Sequence, residues 1–103
     1  MRVISVSTLK AFWEQSEFKD SETALRAWLD EVRHASWKQP ADIKAQFGNA
    51  SILKNRRVVF NIKGNDYRLV VAVAYSFHSI YIKFVGTHEQ YNAINVLTVK
   101  APK

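Results

Sequence analysis

The sequence contains no cysteine, and only three glycines and two prolines occur among its 103 residues. Without thiols, disulfide bonds, thiolate metal sites and cysteine nucleophiles are all excluded. The three glycines are isolated, which excludes a glycine-rich phosphate-binding loop. No long apolar run follows Met1, so we expect neither a signal peptide nor a membrane span, and we predict a cytoplasmic protein.

Acidic residues are scarce in the second part of the chain. Residues 43–103 contain nine Lys or Arg but only Asp66 and Glu89, whereas residues 1–42 contain six basic and seven acidic side chains. Positive charge concentrated in one part of a protein attracts polyanions such as nucleic acid. A requirement for solubility alone would also explain the excess of basic residues. Two carboxylates do not supply a two-metal nuclease site, and the three histidines match no zinc motif. We therefore expect no metal and no cofactor.

The composition is that of a folded domain. Hydrophobic residues make up 48 % of the chain and aromatic residues 13 %, which is typical of a globular protein. The length predicts one domain over residues 1–103, with a loose tail over residues 96–103. The tryptophans Trp13, Trp28 and Trp37 have helical spacing and are predicted to lie in the core or at an interface. Together with Phe18, one or two of them are candidate anchors for a protein partner.

The first part of the chain predicts helices after one short strand. Residues 2–6 alternate weakly as a strand does, and Ser7 and Thr8 are candidate caps for a helix from Leu9 to about Gln15. A second helix is expected from about residue 21 to about residue 37, since apolar residues recur with helical period. Pro40 favours a short helical turn that continues to Phe47.

The second part changes to the pattern of strands. Residues 57–63, 67–75 and 80–85 are rich in Val, Ile, Phe and Tyr, and Gly64-Asn65 predicts a hairpin between the first two. Thr87 is a candidate cap for a last short helix, from His88 to about Ile94. The fold class is therefore α+β, with two N-terminal helices packed on an antiparallel sheet. This sheet contains a short N-terminal strand and a three-stranded meander, and a short C-terminal helix follows.

The hairpin fixes which side chains share a face of the sheet. With Gly64-Asn65 at the turn, Asn61 lies opposite Arg68 and Phe60 opposite Leu69. The apolar face is expected to pack against the helices and to include Ile80, Ile82 and Phe84 of the third strand. The other face then carries Arg57, Asn61, Lys63 and Arg68, with Tyr81 and Lys83 beside Arg68.

Arg68 interrupts an apolar run in the expected central strand. It is either paired within the sheet, with Asp66 or a backbone carbonyl, or directed at a bound phosphate, for which its fork of donors is suited. His88 and Tyr91 are three residues apart at the start of the last helix, and so lie on the same side of it. Histidine transfers protons near neutral pH, and tyrosine supplies a hydroxyl donor or a ring for stacking.

Three segments carry a resemblance to a known family. Residues 37–44 (WKQPADIK), 57–71 (RVVFNIKGNDYRLVV) and 80–91 (IYIKFVGTHEQY) resemble the core of HigB-type toxins of the RelE/ParE superfamily. The resemblance spans residues 1 to about 95 and implies a RelE-like fold. It also implies ribosome-dependent cleavage of mRNA in the A site, and neutralisation by a helix-turn-helix antitoxin of the HigA type. Operator DNA would be contacted only through that antitoxin.

The resemblance also implies which residues act. Family active sites place basic residues on the sheet face and near the C-terminal helix, and by motif position these are Arg68, Lys83, His88 and Tyr91. Basic and amide side chains of the second segment and of the loop before it are expected to bind RNA: Lys54, Arg56, Arg57, Asn61 and Lys63. Some relatives add a glutamate as general base in mid-chain, but residues 51–63 contain none. The identity of the base is therefore open.

Two other functions fit the same features. A ParE-like protein of this fold would inhibit DNA gyrase without catalysis, and a nucleic-acid-binding module would hold phosphates without cleaving them. Clustering of His88 and Tyr91 beside Arg68 and Lys83 would favour the nuclease, and scattering of these residues would favour binding alone.

Overall fold

The computed structural model describes residues 1–101, in which five strands form one sheet. The strands are β1 (Arg2–Ile4), β2 (Ser51–Ile52), β3 (Arg57–Ile62), β4 (Tyr67–Ala74) and β5 (Ser79–Thr87). Their order is β1-β5-β4-β3-β2. β1 is parallel to β5, and the other neighbours are antiparallel. The predicted α+β class and the meander are confirmed, with β2 added at one edge.

The helices are α1 (Val6–Trp13), α2 (Glu22–Arg33), α3 (Pro40–Gln46) and α4 (His88–Asn92), with short 3₁₀ turns at Ser16–Ser21 and Tyr75–Phe77. α1 begins earlier than predicted, because Ser5 in the left-handed region turns the chain directly out of β1. α2 ends at Arg33 rather than near Trp37. The N-terminal ammonium of Met1 accounts for part of this early end, since it donates to the carbonyls of Val32 (3.0 Å) and Ala35 (2.5 Å). No helix within residues 1–101 is long and apolar enough to cross a membrane.

The core lies between the helices and one face of the sheet. α1 and α2 each bury one apolar stripe, as their helical spacing dictates. These stripes pack on the sheet residues Phe60, Ile62, Leu69, Val71, Val73, Ile80 and Ile82. All three tryptophans belong to this core and are 2–3 % exposed. The prediction that tryptophans anchor a partner is therefore wrong, since none is accessible; Phe18 is half-buried and stacks on Phe12.

The predicted register of the hairpin is confirmed. Asn61 pairs with Arg68 and Phe60 with Leu69. Between β4 and β5, however, Val71 pairs with Ile82 and Val70 with Phe84, so Lys83 is an extra residue on β5. Such a β-bulge shifts the alternation of all later side chains by one. Phe84 consequently lies on the face away from the helices, which corrects its predicted place in the core.

The second face of the sheet is also covered over much of its area. Val59 and Val70 point away from the helices, yet they are only 4 % and 0 % exposed. Beside them, Nη1 of Arg57 donates to the carbonyls of Val96 (3.1 Å) and Val99 (2.6 Å). These bonds hold the segment 96–101 against the sheet. Of the tail predicted to be loose, residues 102–103 lie outside the part of the chain that the structure describes.

Candidate active site

Arg68 and His88 are in direct contact on the face of the sheet away from the helices. Nη2 of Arg68 donates to Nδ1 of His88 at 2.9 Å. The other terminal nitrogen, Nη1, donates to the carbonyls of Asn65 (3.0 Å) and Tyr67 (3.3 Å). Arg68 thus has backbone partners, as one of the two sequence interpretations expected, but it also contacts the histidine. The backbone bonds fix the guanidinium beside the imidazole.

The start of α4 determines where His88 lies. β5 runs without a break into α4, and His88 is the first residue of this helix. Thr87 is its N-cap: Thr87 Oγ1 accepts from the backbone N–H of Gln90 at 3.0 Å, and Gln90 Oε1 accepts from the N–H of Thr87 at 2.9 Å. This reciprocal pair is a capping box. It confirms the predicted cap and fixes His88 at the end of β5.

The contact also determines the proton position on His88. A guanidinium has donors only, so Nδ1 must accept from it and carries no proton in this arrangement. A neutral imidazole then bears its proton on Nε2. Arg68 therefore holds His88 with an unprotonated nitrogen directed at the guanidinium, where a phosphate bound to Arg68 would also lie.

Tyr91 is on the same helix as His88, three residues later, and is half-buried. Residues at this spacing lie on one side of a helix. Within residues 1–101 its hydroxyl makes no hydrogen bond, so the group is available to a ligand. Two of the four predicted catalytic residues are thus in contact, and Tyr91 follows on the adjoining turn.

Lys83 lies apart from this pair. As the bulge residue of β5 it lines a groove beside α1, and its ammonium is 5.7 Å from the centre of the Tyr81 ring. Gly86, the cross-strand partner of Arg68, is three residues further along β5, or roughly 10 Å at the usual rise of a strand. No hydrogen bond joins Lys83 to Arg68 or His88 in the described chain.

The five predicted RNA-binding residues do not form one surface. Arg57 is 7 % exposed and bound to the tail carbonyls, as described above. Lys63 donates to Asp20 at 2.7 Å and lies 3.6 Å from Asp66. Asn61 is beside Arg68, with its Nδ2 donating to Asn65 Oδ1 at 3.2 Å. Lys54 and Arg56 are exposed in the turn at the opposite end of β3.

A contact that the sequence did not predict ties the helices to the hairpin. The carboxylate of Asp20, between α1 and α2, accepts from Lys63 Nζ (2.7 Å) and from the Tyr67 hydroxyl. The hydrogen bonds from Lys63 and then Tyr67 lower the pKa of Asp20. The bond to Asp20, with burial, raises the pKa of Tyr67 to about 12. Because Asp20 precedes Tyr67 by 47 residues, no local pattern reveals this contact.

Within residues 1–101, no three His, Asp or Glu side chains come together as a metal site would need. The groups that could act at Arg68 include its own guanidinium, the imidazole of His88 and the hydroxyl of Tyr91. Guanidinium donors stabilise negative charge on phosphoryl oxygens, and an imidazole beside them transfers protons. This chemistry suits a phosphodiester that carries its own nucleophile.

Comparison with known proteins points to one family. A sequence model of the family described as "HigB_toxin, RelE-like toxic component of a toxin-antitoxin system" matches residues 21–94. The chain is 30 % identical over 94 residues to "mRNA interferase toxin HigB" of Escherichia coli K12, covering 89 % of this chain and 88 % of the relative. It is similar to the same extent to "mRNA interferase HigB" of Shigella flexneri. All four predicted catalytic residues lie within the matched segment.

Proposed function

Since the chain belongs to the HigB family of RelE-like toxins, we propose that it is an mRNA endoribonuclease acting on the ribosome. In this proposal it cleaves mRNA in the A site and so stops translation. The observation that carries the proposal is the contact of Arg68 with His88 on an open part of the sheet. Relatives named mRNA interferases cover nearly the whole chain, which supports the substrate.

The proposed reaction uses the 2′-hydroxyl of the RNA as nucleophile. Its oxygen forms a bond to the adjacent phosphorus, and the bond from phosphorus to the 5′-oxygen breaks. The products are a 2′,3′-cyclic phosphate and a free 5′-hydroxyl. Arg68 binds the phosphoryl oxygens and stabilises the charge that develops on them, which is commonly the largest catalytic contribution.

Two protons must move in this step. A phosphate bound to Arg68 replaces His88 as partner of the guanidinium, and this frees Nδ1 to accept the proton of the 2′-hydroxyl. The hydroxyl of Tyr91 then donates to the departing 5′-oxygen, and solvent restores its proton. His88 is thus our candidate for the general base, in place of the glutamate that some relatives use.

The wider setting follows from the same proposal. The ribosome orders the mRNA and supplies positioning that a small protein provides poorly alone. A cognate helix-turn-helix antitoxin neutralises the toxin and connects it to operator DNA, and the cytoplasm is where all these partners meet. Of the five residues predicted to bind RNA, Lys54 and Arg56 are the exposed cations with no ion pair in the described part of the chain, and they could contact RNA outside the cleavage site.

The decisive experiment is to sequence transcript 5′ ends after induced expression of the toxin alone. We expect new 5′-hydroxyl ends in translated regions, and their loss when the same transcripts lack a ribosome-binding site. Cleavage of untranslated transcripts would show that the toxin does not require the ribosome. Intact mRNA together with lost DNA supercoiling would favour gyrase inhibition, and intact mRNA with RNA still bound would favour a non-catalytic module.

The metal-free mechanism has its own test, since ribosomes require magnesium. The purified toxin should have the same thermal midpoint with and without magnesium, manganese or zinc. Titration of each metal should give a heat near zero. Stoichiometric tight binding of any of the three would contradict the mechanism.

A further inference from the structure

One edge of β5 is open along its second half. β1 pairs with β5 only from Ser79 to Tyr81. Beyond Tyr81, no strand within residues 1–101 pairs with β5 on that side. Backbone N–H and C=O groups along such an edge are available to an added strand. The second half of β5 therefore has the backbone chemistry of a peptide-binding edge.

A groove runs along this open edge, between β5 and the outer face of α1. Its volume is about 470 Å³. Apolar atoms of Ala11, Phe12, Phe84 and Val85 form much of its lining. The β-bulge lies within this lining, since Lys83, the extra residue of β5, and Phe84 after it both line the groove. An extended chain bound to the edge would find apolar side-chain pockets beside it.

Two cations line the same groove. Lys83 comes from the bulge of β5 and Lys100 from the C-terminal segment. In the described chain neither ammonium has a carboxylate within ion-pair distance. Lys63, by contrast, is neutralised by Asp20 and Asp66. No carboxylate of the described chain thus balances the positive charge of Lys83 and Lys100, and this charge favours an acidic ligand.

We propose that this groove binds an acidic, amphipathic extended segment of the cognate antitoxin, which adds to the edge of β5. This proposal rests on the proposed function only in taking the antitoxin as the partner. A protein segment fits better than RNA because RNA cannot pair with a strand edge, and because the lining is mainly apolar. The buried tryptophans offer no competing apolar anchor on the helices.

The groove is a separate surface from the Arg68–His88 pair. Its lining on β5 ends at Val85, one residue before the cross-strand partner of Arg68. An antitoxin segment bound there lies beside the cleavage site and adds bulk to the edge of the sheet. Neutralisation then occurs by blocking the approach of ribosome-bound mRNA, with Arg68 itself unoccupied.

Ala11 is the position at which to test this docking site. It is exposed on α1, lines the groove and lies outside the cleavage site. Ala11→Glu places a carboxylate against an acidic occupant, whereas Ala11→Lys adds similar bulk with the favourable charge. Ala27→Glu is the matched control, since Ala27 is exposed on α2 and lines no part of the groove.

The experiment measures the affinity of each purified full-length variant for the antitoxin encoded beside the toxin gene, together with mRNA cleavage. We expect Ala11→Glu to raise the Kd about tenfold or more, as like charges at an interface do. Ala11→Lys should bind at least as well as Ala27→Glu, which should match the parent. All three should keep their Tm and cleave mRNA.

Two results would overturn the proposal. One is an unchanged Kd for Ala11→Glu, which would place the antitoxin elsewhere. The other is normal antitoxin binding with loss of cleavage, which would make the groove an RNA site. If the parent protein cleaves no mRNA, the proposed function fails, but the comparison of Kd values still decides what the groove binds. Should Ala11→Glu fold poorly, the pair Ala11→Lys and Thr8→Glu tests the same groove.

Discussion

Arg68 and Gly86 are direct cross-strand partners on β4 and β5, and Gly86 is the one residue of β5 without a side chain. The space above Gly86 is occupied by its neighbours. A Cβ there would lie 2.6 Å from Cζ of Phe84 and 2.7 Å from Oε1 of Gln90. Gln90 is the residue that closes the capping box at Thr87. Gly86 thus pairs with Arg68 of β4 and also lies against Gln90, whose side chain forms the cap at the start of α4, where His88 lies.

Gly86→Ala should impair cleavage more than folding. Both contacted atoms are ends of side chains and can shift, but a shift of Gln90 opens the capping box and loosens the start of α4. Loss of a cap costs about 1 kcal/mol of unfolding free energy. We expect a loss of that order by denaturant titration, with mRNA cleavage reduced by about tenfold or more.

Gly48→Ala is the control for this substitution. A Cβ at Gly48 meets nothing within 4 Å, so stability should change by less than about 0.5 kcal/mol and cleavage should be unaffected. Normal cleavage by a correctly folded Gly86→Ala protein would show that the capping box does not position His88.

Arg68→Ala tests the residue to which we assign the phosphate. Removal of a donor aimed at developing charge commonly costs about 2–4 kcal/mol in the transition state, or about 10²–10³ in rate. Arg68→Lys should restore little of this, since an ammonium cannot bond two backbone carbonyls and His88 in the same planar geometry. Circular dichroism and Tm of both variants should show a folded protein. Unfolding of Arg68→Ala would assign Arg68 a structural role, whereas retained toxicity would show that Arg68 does not provide the phosphate contact that cleavage needs.

The sequence predicted the parts of this site that depend on local pattern. Gly64-Asn65 and strict alternation determined the register that pairs Asn61 with Arg68, and Thr87 was correctly predicted as the cap of the last helix. The bulge at Lys83 was not predictable, because an extra residue in a strand leaves the apolar pattern almost unchanged. It separated Lys83 from the site and moved Phe84 to the other face. The burial of Arg57 was also not predicted, because it depends on contacts with residues 96–101, which are distant in the sequence and form no regular helix or strand.

The contact of Asp20 with Tyr67 is the other long-range feature, and its ionisation makes it testable. The pKa of Asp20 is lowered, so this carboxylate stabilises the fold at pH values above its ordinary 3.8. That stabilisation is lost as the pH falls through the lowered value. The pKa of Tyr67 is raised to about 12 from 10.0. The protonated hydroxyl of Tyr67 therefore stabilises the fold fully below pH 10.0, and this stabilisation is lost as the pH rises through about 12.

Asp20→Asn should remove both effects at once. At neutral pH the variant should have a lower Tm than the parent, and the difference should shrink as the pH falls and Asp20 of the parent becomes protonated. The pKa of Tyr67 should fall from about 12 toward 10.0, because the carboxylate that holds its proton is gone. Titration of ¹³Cζ-labelled tyrosine by NMR resolves the individual rings. Tyr75 is the internal standard, since its raised pKa is caused first by burial and then by Asp42.

Asp30→Asn is the matched control, because Asp30 is an exposed carboxylate on α2, and its Oδ1 lies 3.8 Å from Nδ1 of His34. It should leave Tyr67 and the Tm unchanged. A Tyr67 pKa that stays near 12 in Asp20→Asn would mean that burial, rather than the bond to Asp20, holds the phenolic proton. Cleavage of mRNA should survive in Asp20→Asn, because Asp20 contacts Lys63 and Tyr67 on the helix side of the sheet. Its loss in a folded variant would show that the hairpin must be tied to the helices for Arg68 to reach His88.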